Sequence, residues 1–319
     1  MSITITGGIT LNGGGFTLVG PPTQPTASWF AGGFAPGVRS IVDRITYATD
    51  TATATVRGPL SIASFYLSAT GTNTYGWYTI GAAGPVTSTI TRITYANDSA
   101  TSTDRGPLAI PTYLQAATTD STTYGWFGGG APAAPSGVYS IVNRITFSTD
   151  TDTASTRGPL SIARYGLAAT GTTSYGWFGG GTGDPAGCST IDRITYATDT
   201  ATATARNTFS SSLYYLAASS DGTTYGYFVS GRDTLTVLST INRITFSTDT
   251  GALSVRGPYI TETRNLAGSG NDTYGYFGGG GGPISSVGRI TYATDTATAS
   301  TKGPLSAARY ALGSSAGIQ

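Results

Sequence analysis

One phrase recurs along the chain and constrains its fold more than any other feature. Arg-Ile-Thr followed by Tyr or Phe begins at Arg44, Arg92, Arg144, Arg193, Arg243 and Arg289, at steps of 48, 52, 49, 50 and 46 residues. A fixed period means an array of like units, each too small to bury a core alone and stable only against its neighbours. A unit of about 50 residues has the length of a four-stranded propeller blade.

One full unit runs from Ala163 to Leu213. Its first predicted strand is Ala163 to Thr170, ended by a Gly-Thr turn at Gly171. The second is Tyr175-Gly176-Trp177-Phe178, stopped by Gly179-Gly180-Gly181. The third is Ile191 to Tyr196, with a turn at Thr198-Asp199-Thr200, and the fourth, Ala201 to Arg206, alternates with a period of two. Four short strands between Gly, Asp and Pro turns make an antiparallel blade. The array begins at a second strand, Ser28-Trp29-Phe30, and ends on what reads as a first strand, Ala308-Arg309-Tyr310-Ala311-Leu312. The last strand is therefore expected to complete blade one. The expected fold is all-β: a six-bladed propeller over residues 26–319, closed by the C-terminal strand, with an uncharged Gly/Pro-rich arm over residues 1–25.

The order of elements resembles the kelch repeat: an Arg ahead of strand one, an aromatic strand ending in Gly-Gly, then a strand with a Tyr and an Asp turn. The resemblance spans residues 26 to 319. Kelch blades carry a Trp on strand four where this chain has Thr or Ala, and the double Gly is lost at Thr79-Ile80-Gly81 and Val229-Ser230-Gly231. The third residue after the strand-two aromatic pair is nevertheless Gly in every copy, at Gly33, Gly81, Gly130, Gly181, Gly231 and Gly280. Such a position implies a positive φ or a close backbone approach.

Charged residues are 10% of the chain, against roughly 25% in ordinary domains. Lys302 is the one lysine among seventeen cations and Glu262 the one glutamate among sixteen acids. A net charge of +1 gives no footprint for nucleic acid. The chain has no His and a single cysteine, Cys188, so His- or Cys-based metal sites and Ser-His-Asp or Cys-His catalysis are not expected, nor is any cofactor. No apolar run approaches a membrane span and the N-terminus lacks a signal peptide, so no membrane insertion is expected and any journey outside the cell needs another route, such as lysis. Kelch-like copper oxidases need His ligands. Six-bladed sialidases use an Arg cluster, a Tyr nucleophile, carboxylates and Asp-box turns, and the Asp-box pattern is absent here. These readings lead to an expectation of no enzymatic activity.

Binding residues are sought on the loops between strands two and three, which vary between blades. Those loops offer Phe34, Tyr139, Arg232 and Asp233, and Arg164 and Arg309 join them from equivalent first-strand positions where the other blades have Ser64, Thr112, Leu213 and Thr263. The six repeated arginines, Arg44, Arg92, Arg144, Arg193, Arg243 and Arg289, read as structural groups held by loop carbonyls or Asp, or else as anion or sugar pockets between blades. Asp50, Asp98, Asp150, Asp199, Asp249 and Asp295 each sit in a Thr-rich turn and read as turn residues bonding their own backbone. One carboxylate per blade falls short of calcium's six to eight oxygen ligands, so no metal is expected.

The Tyr-Gly-Trp-Phe-Gly-Gly-Gly and Arg-Ile-Thr-Tyr-Ala-Thr-Asp phrases are also similar to repeat-bearing virion proteins of bacteriophages, marine ones especially. That resemblance implies a virion structural protein, of tail, fibre or capsid decoration, anchored to other virion proteins by its arm. It also implies loops presented for assembly or for a host surface glycan or protein, and a homo-oligomer is compatible with it. A carbohydrate-binding propeller and a kelch-type protein scaffold are the alternatives.

Overall fold

The computed structural model describes residues 9–12, 15–18, 24–82, 84–132, 137–183 and 187–318. Six four-stranded antiparallel sheets form the blades. In blade four the strands run outward from the axis as Ala168–Gly171, Tyr175–Gly179, Thr190–Thr195 and Thr204–Thr208. Blade one takes Ala27–Ala31, Val42–Thr46 and Thr55–Arg57 from the start of the array and its axial strand, Gly313–Gly317, from the end. The C-terminal strand thus closes the ring, as expected. It lies five residues beyond the expected Ala308–Leu312, because Ala311 at φ 58° breaks the extended run, as Gly166 at φ 66° does in blade four. The true axial strands are Ala, Ser, Thr and Gly, such as Ala116–Thr119 and Gly313–Gly317, since six strands converging on one axis leave space only for small side chains.

Strand two supplies the apolar filling of each blade. In blade three, Trp126 and Phe127 point to opposite faces of the sheet and are both fully buried. Trp126 stacks on Tyr196 of blade four at 3.9 Å between centroids. Removing an indole of this kind from water contributes roughly 5 kcal/mol of gross hydrophobic free energy. Beside the stack, Asp199 of blade four accepts hydrogen bonds from the Trp126 indole at 2.8 Å and from Arg144 at 3.0 Å.

The same clasp recurs at every seam. Trp29 and Arg44 donate to Asp98, Trp77 and Arg92 to Asp150, and Trp177 and Arg193 to Asp249. The hydroxyls of Tyr227 and Tyr276 replace the indole at Asp295 and Asp50, beside Arg243 and Arg289. A second cation from strand four, such as Arg57 or Arg157, stands beside each carboxylate. The reading of these aspartates as turn residues bonding their own backbone is corrected: the side chain crosses to the preceding blade.

Glycine sets the seam distance. A Cβ on Gly58, Gly106, Gly158, Gly257 or Gly303 would run into the backbone of the next blade at Ala100, Asp152, Ala201, Ala297 or Ala52. The seam between blades four and five has Asn207 in place of that glycine, and there the facing residue is itself glycine: the Asn207 amide donates to the carbonyls of Asp249 and Gly251. A register shift between Ile191 and Asp192 accompanies the change.

Five of the six repeated loop glycines have positive φ, from 97° at Gly231 to 147° at Gly280, and at Gly81 a Cβ would strike the Tyr66 and Phe65 carbonyls instead. In the arm, Ile9–Asn12 pairs with Gly15–Leu18 as a separate hairpin. The strand expected over residues 1–6 and the blade-three loop at 133–135 lie outside the described residues.

Two outcomes follow. Gly158→Ala should destabilise the ring by about 1–3 kcal/mol in denaturant melts, whereas Gly251→Ala should act through the Asn207 contact alone. Burial opposes ionisation of Asp249, but hydrogen bonds from Arg206 and Trp177 and the nearby Arg193 and Arg206 charges outweigh it and hold the carboxyl below its ordinary value. A carboxylate depressed in this way stabilises the fold above its unfolded-state pKa and loses that contribution as pH falls through the folded value. The melting temperature should therefore drop below about pH 4, and Asp249→Asn should show a smaller drop than the parent.

Candidate functional site

The two faces of the ring differ in kind. One carries the loops between strands two and three and the segments that lead from strand four into the next axial strand. On it a residue of each blade adopts the left-handed conformation: Tyr66, Leu114, Gly166, Tyr215, Asn265 and Ala311, at φ from 55° to 66°. Only one of the six is glycine, and a left-handed backbone costs other residues about 1–3 kcal/mol. The strain is offset by a closed circle of backbone hydrogen bonds. The Tyr66 amide donates to the Ala311 carbonyl, Leu114 to Tyr66, Gly166 to Leu114, Tyr215 to Gly166, Asn265 to Tyr215 and Ala311 to Asn265, at 2.6 to 3.5 Å. This circle narrows the axial channel to a mouth with a cavity of about 60 Å3 beneath it.

Aromatic rings surround the mouth. The residue before each left-handed position is Phe65, Tyr113, Tyr165, Tyr214, Arg264 or Tyr310. Phe65 lies 5.4 Å from Phe34, Tyr66 lies 6.1 Å from Tyr113, and Tyr66 and Tyr215 stack at 6.4 Å and 19°. Burial and neighbouring phenols push the Tyr66 and Tyr215 hydroxyls above their ordinary pKa, so both stay neutral donors.

Four of the residues singled out from the sequence lie on this face. Phe34 joins the rosette against Phe65 and Tyr310, at 5.4 and 5.6 Å. Arg232 lies over the Tyr214 ring at 5.4 Å. Asp233 accepts from the Leu235 and Thr236 amides at 2.8 and 2.7 Å, which lowers its carboxyl pKa and commits it to its own turn. Tyr139 is half-buried, its amide donating to the Gly130 carbonyl.

Arg164 and Arg309 are corrections to the expected binding set. Both are 0% exposed beneath the face. Arg164 pairs with Asp192 at 3.0 Å and donates to the Phe178 carbonyl; Arg309 pairs with Asp43 at 2.8 Å and donates to the Gly32 and Phe30 carbonyls. The sequence carried the signal. Only the two blades with these arginines have Asp immediately before the strand-three Arg, where the others have Thr91, Asn143, Asn242 and Gly288.

The six repeated arginines are likewise spent inside the seams. Besides their Asp bonds, Arg92, Arg144, Arg193, Arg243 and Arg289 lie 4.0 to 4.7 Å from the centroids of Tyr75, Tyr124, Tyr175, Tyr225 and Tyr274. The notion of sugar or anion pockets between blades is corrected, because Asp already fills the space beside each guanidinium. Among the described residues, Arg39, Arg232 and Arg264 are the cations without an acid partner, and all three lie on the mouth face.

No protein-family model matches the chain, and no curated protein does. Among solved structures it is similar to that described as "Structure of YjhT", with a TM-score of 0.65 at 10% identity, covering 79% of this chain and 87% of that one. The likeness shows the fold: the chain is a six-bladed β-propeller. It also overturns the expectation that the chain is not an enzyme. Rings of this architecture carry catalytic sites as well as binding sites, so the lack of His and the scarcity of Glu do not exclude an activity.

The buried pairs give a direct test. Removing one partner of such a pair typically costs about 3–5 kcal/mol. Arg164→Met should lower stability by that order in chemical melts, and the Arg164→Met, Asp192→Asn double variant should recover part of the loss.

Proposed function

We propose that the protein is an attachment module of a bacteriophage particle, held to other virion proteins by its N-terminal arm, with the mouth face turned outward. The observation that carries this reading is the polarity of the ring. The chain enters at Thr26 and Ala27 and leaves the closing strand at Gly317, and the Thr26 amide donates to the Gly317 carbonyl at 2.8 Å. That point lies on the face opposite the mouth, where Ile318 bonds Asn73 in the turn between strands one and two of blade two. An arm at one face and an aromatic, cation-bearing rosette at the other suit a unit anchored behind and presented in front. The resemblance of the repeats to phage virion phrases, and of their order to kelch blades, supports the same reading.

The partners in this account are neighbouring virion proteins at the arm and a host surface at the mouth. Copies of the chain meeting through their arms would add valency, since several weak contacts on one particle act together. A freestanding carbohydrate-binding propeller is the second reading, favoured by the aromatic mouth and needing no role for the arm.

Particle proteomics tests the proposal. The full chain should co-purify with intact virions, and a chain beginning at Thr26 should fold as a propeller yet fail to incorporate. Absence of the full chain from washed particles overturns the virion reading, and incorporation of the shortened chain removes the arm from it.

A further inference from the structure

Beneath the circle of left-handed residues, each blade contributes one side chain to the wall of the axial cavity: Leu67, Gln115, Leu167, Leu216, Leu266 and Leu312. Five blades agree on leucine and one does not. Gln115 is 6% exposed, and neither its Oε1 nor its Nε2 has a hydrogen-bond partner among the described residues. A buried amide with donor and acceptor both idle is expensive and calls for a partner in the cavity it lines. Directly above, Tyr66 and Tyr215 hold the strained left-handed conformation although Gly166 shows that the backbone circle forms without any side chain there. A Cβ on Gly166 would meet the Tyr215 ring, so the glycine clears the place that this ring occupies. The idle amide and the two phenol rings above it thus share one mouth.

We propose that this mouth is a carbohydrate-binding site. A pyranose ring packs against the near-parallel rings of Tyr66 and Tyr215, and one of its hydroxyl or hydroxymethyl groups enters the cavity beside Gln115. That hydroxyl donates to Oε1 and accepts from the Nε2 amide, the paired roles that an idle carboxamide needs filled. The cavity of about 60 Å3 continues along the axis past Gln115 into a further space of about 100 Å3, room enough for a hydroxymethyl group, and it is the paired donor and acceptor of the idle amide that favour a sugar hydroxyl over an apolar peptide anchor. Tyrosines with neutral hydroxyls at the rim suit a ligand with apolar ring faces and polar edges.

This inference deepens the reading of the mouth face as the presented one, but its test does not depend on the particle. The purified full chain is titrated with the methyl glycosides of glucose, galactose, mannose and N-acetylglucosamine, followed by saturation-transfer NMR and calorimetry. At least one glycoside should bind. Gln115→Leu completes the leucine ring and Tyr66→Gly reproduces Gly166, so both should melt at or above the parent temperature while weakening that binding about tenfold. If Gln115→Leu fails to fold, Tyr66→Gly and Tyr215→Gly carry the test. Binding of none of the four glycosides overturns the proposal. So does a Gln115→Leu variant that melts higher and binds unchanged, since the amide then serves only trapped water. Either result, with the chain still present in virions, leaves the anchoring account standing.

Discussion

The carboxylate that each blade hands to its neighbour is the interaction on which the ring depends. At Asp199 it takes an indole N–H and a guanidinium from blade three, while the stacked Trp126 and Tyr196 shield it from water. Charge-assisted bonds of this kind are about twice as strong as neutral ones and are geometrically exacting. That explains a charge inventory of nearly pure Arg and Asp, because a planar fork can serve a carboxylate and lie on a tyrosine at once, and an ammonium cannot. Lys302 stands at the one clasp, Asp50, where the strand-four cation is not an arginine. The glycines at the seams follow from the same constraint, since the clasp spans only the distance that a blade without a Cβ allows.

Once the charges are consumed between blades, the surface is left to small polar residues and the faces are free to diverge. Among the described residues, the mouth face keeps the guanidiniums without an acid partner, Arg39, Arg232 and Arg264, and a crowd of phenols. The opposite face keeps repetitive turns, in which Asp120 and Asp221 close their own loops by accepting backbone amides. Rigidity at the seams lets the mouth hold strained tyrosines, because six blades bonded in a circle over-determine the backbone there.

The sequence was legible where the physics is local or periodic. The repeat length, the strand alternation and the mismatched ends sufficed for six blades and for closure by the last strand. It was less legible wherever a residue's partner sits a blade away or around the axis. Asp98 looks like a turn former because its turn is visible in the chain, while Trp29 and Arg44 are more than fifty residues upstream. Arg164 and Arg309 look like surface irregularities because their partners, Asp192 and Asp43, stand 28 and 266 residues away in sequence and meet them only in the folded blade. Gln115 is hidden for a related reason: it departs from leucine only relative to Leu67, Leu167, Leu216, Leu266 and Leu312, which the fold alone brings into one ring.

The closing strand sets the order in which the molecule is built. The first blade to leave the ribosome contributes three strands whose innermost edge, Ala27–Ala31, has no partner until Gly313–Gly317 emerges. Throughout synthesis that edge is an open template for any passing strand, and the blade that begins the ring is the last to be finished. The ring cannot be sealed before Gly313–Gly317 has been made, and a chain that stops within the sixth blade remains an open arc.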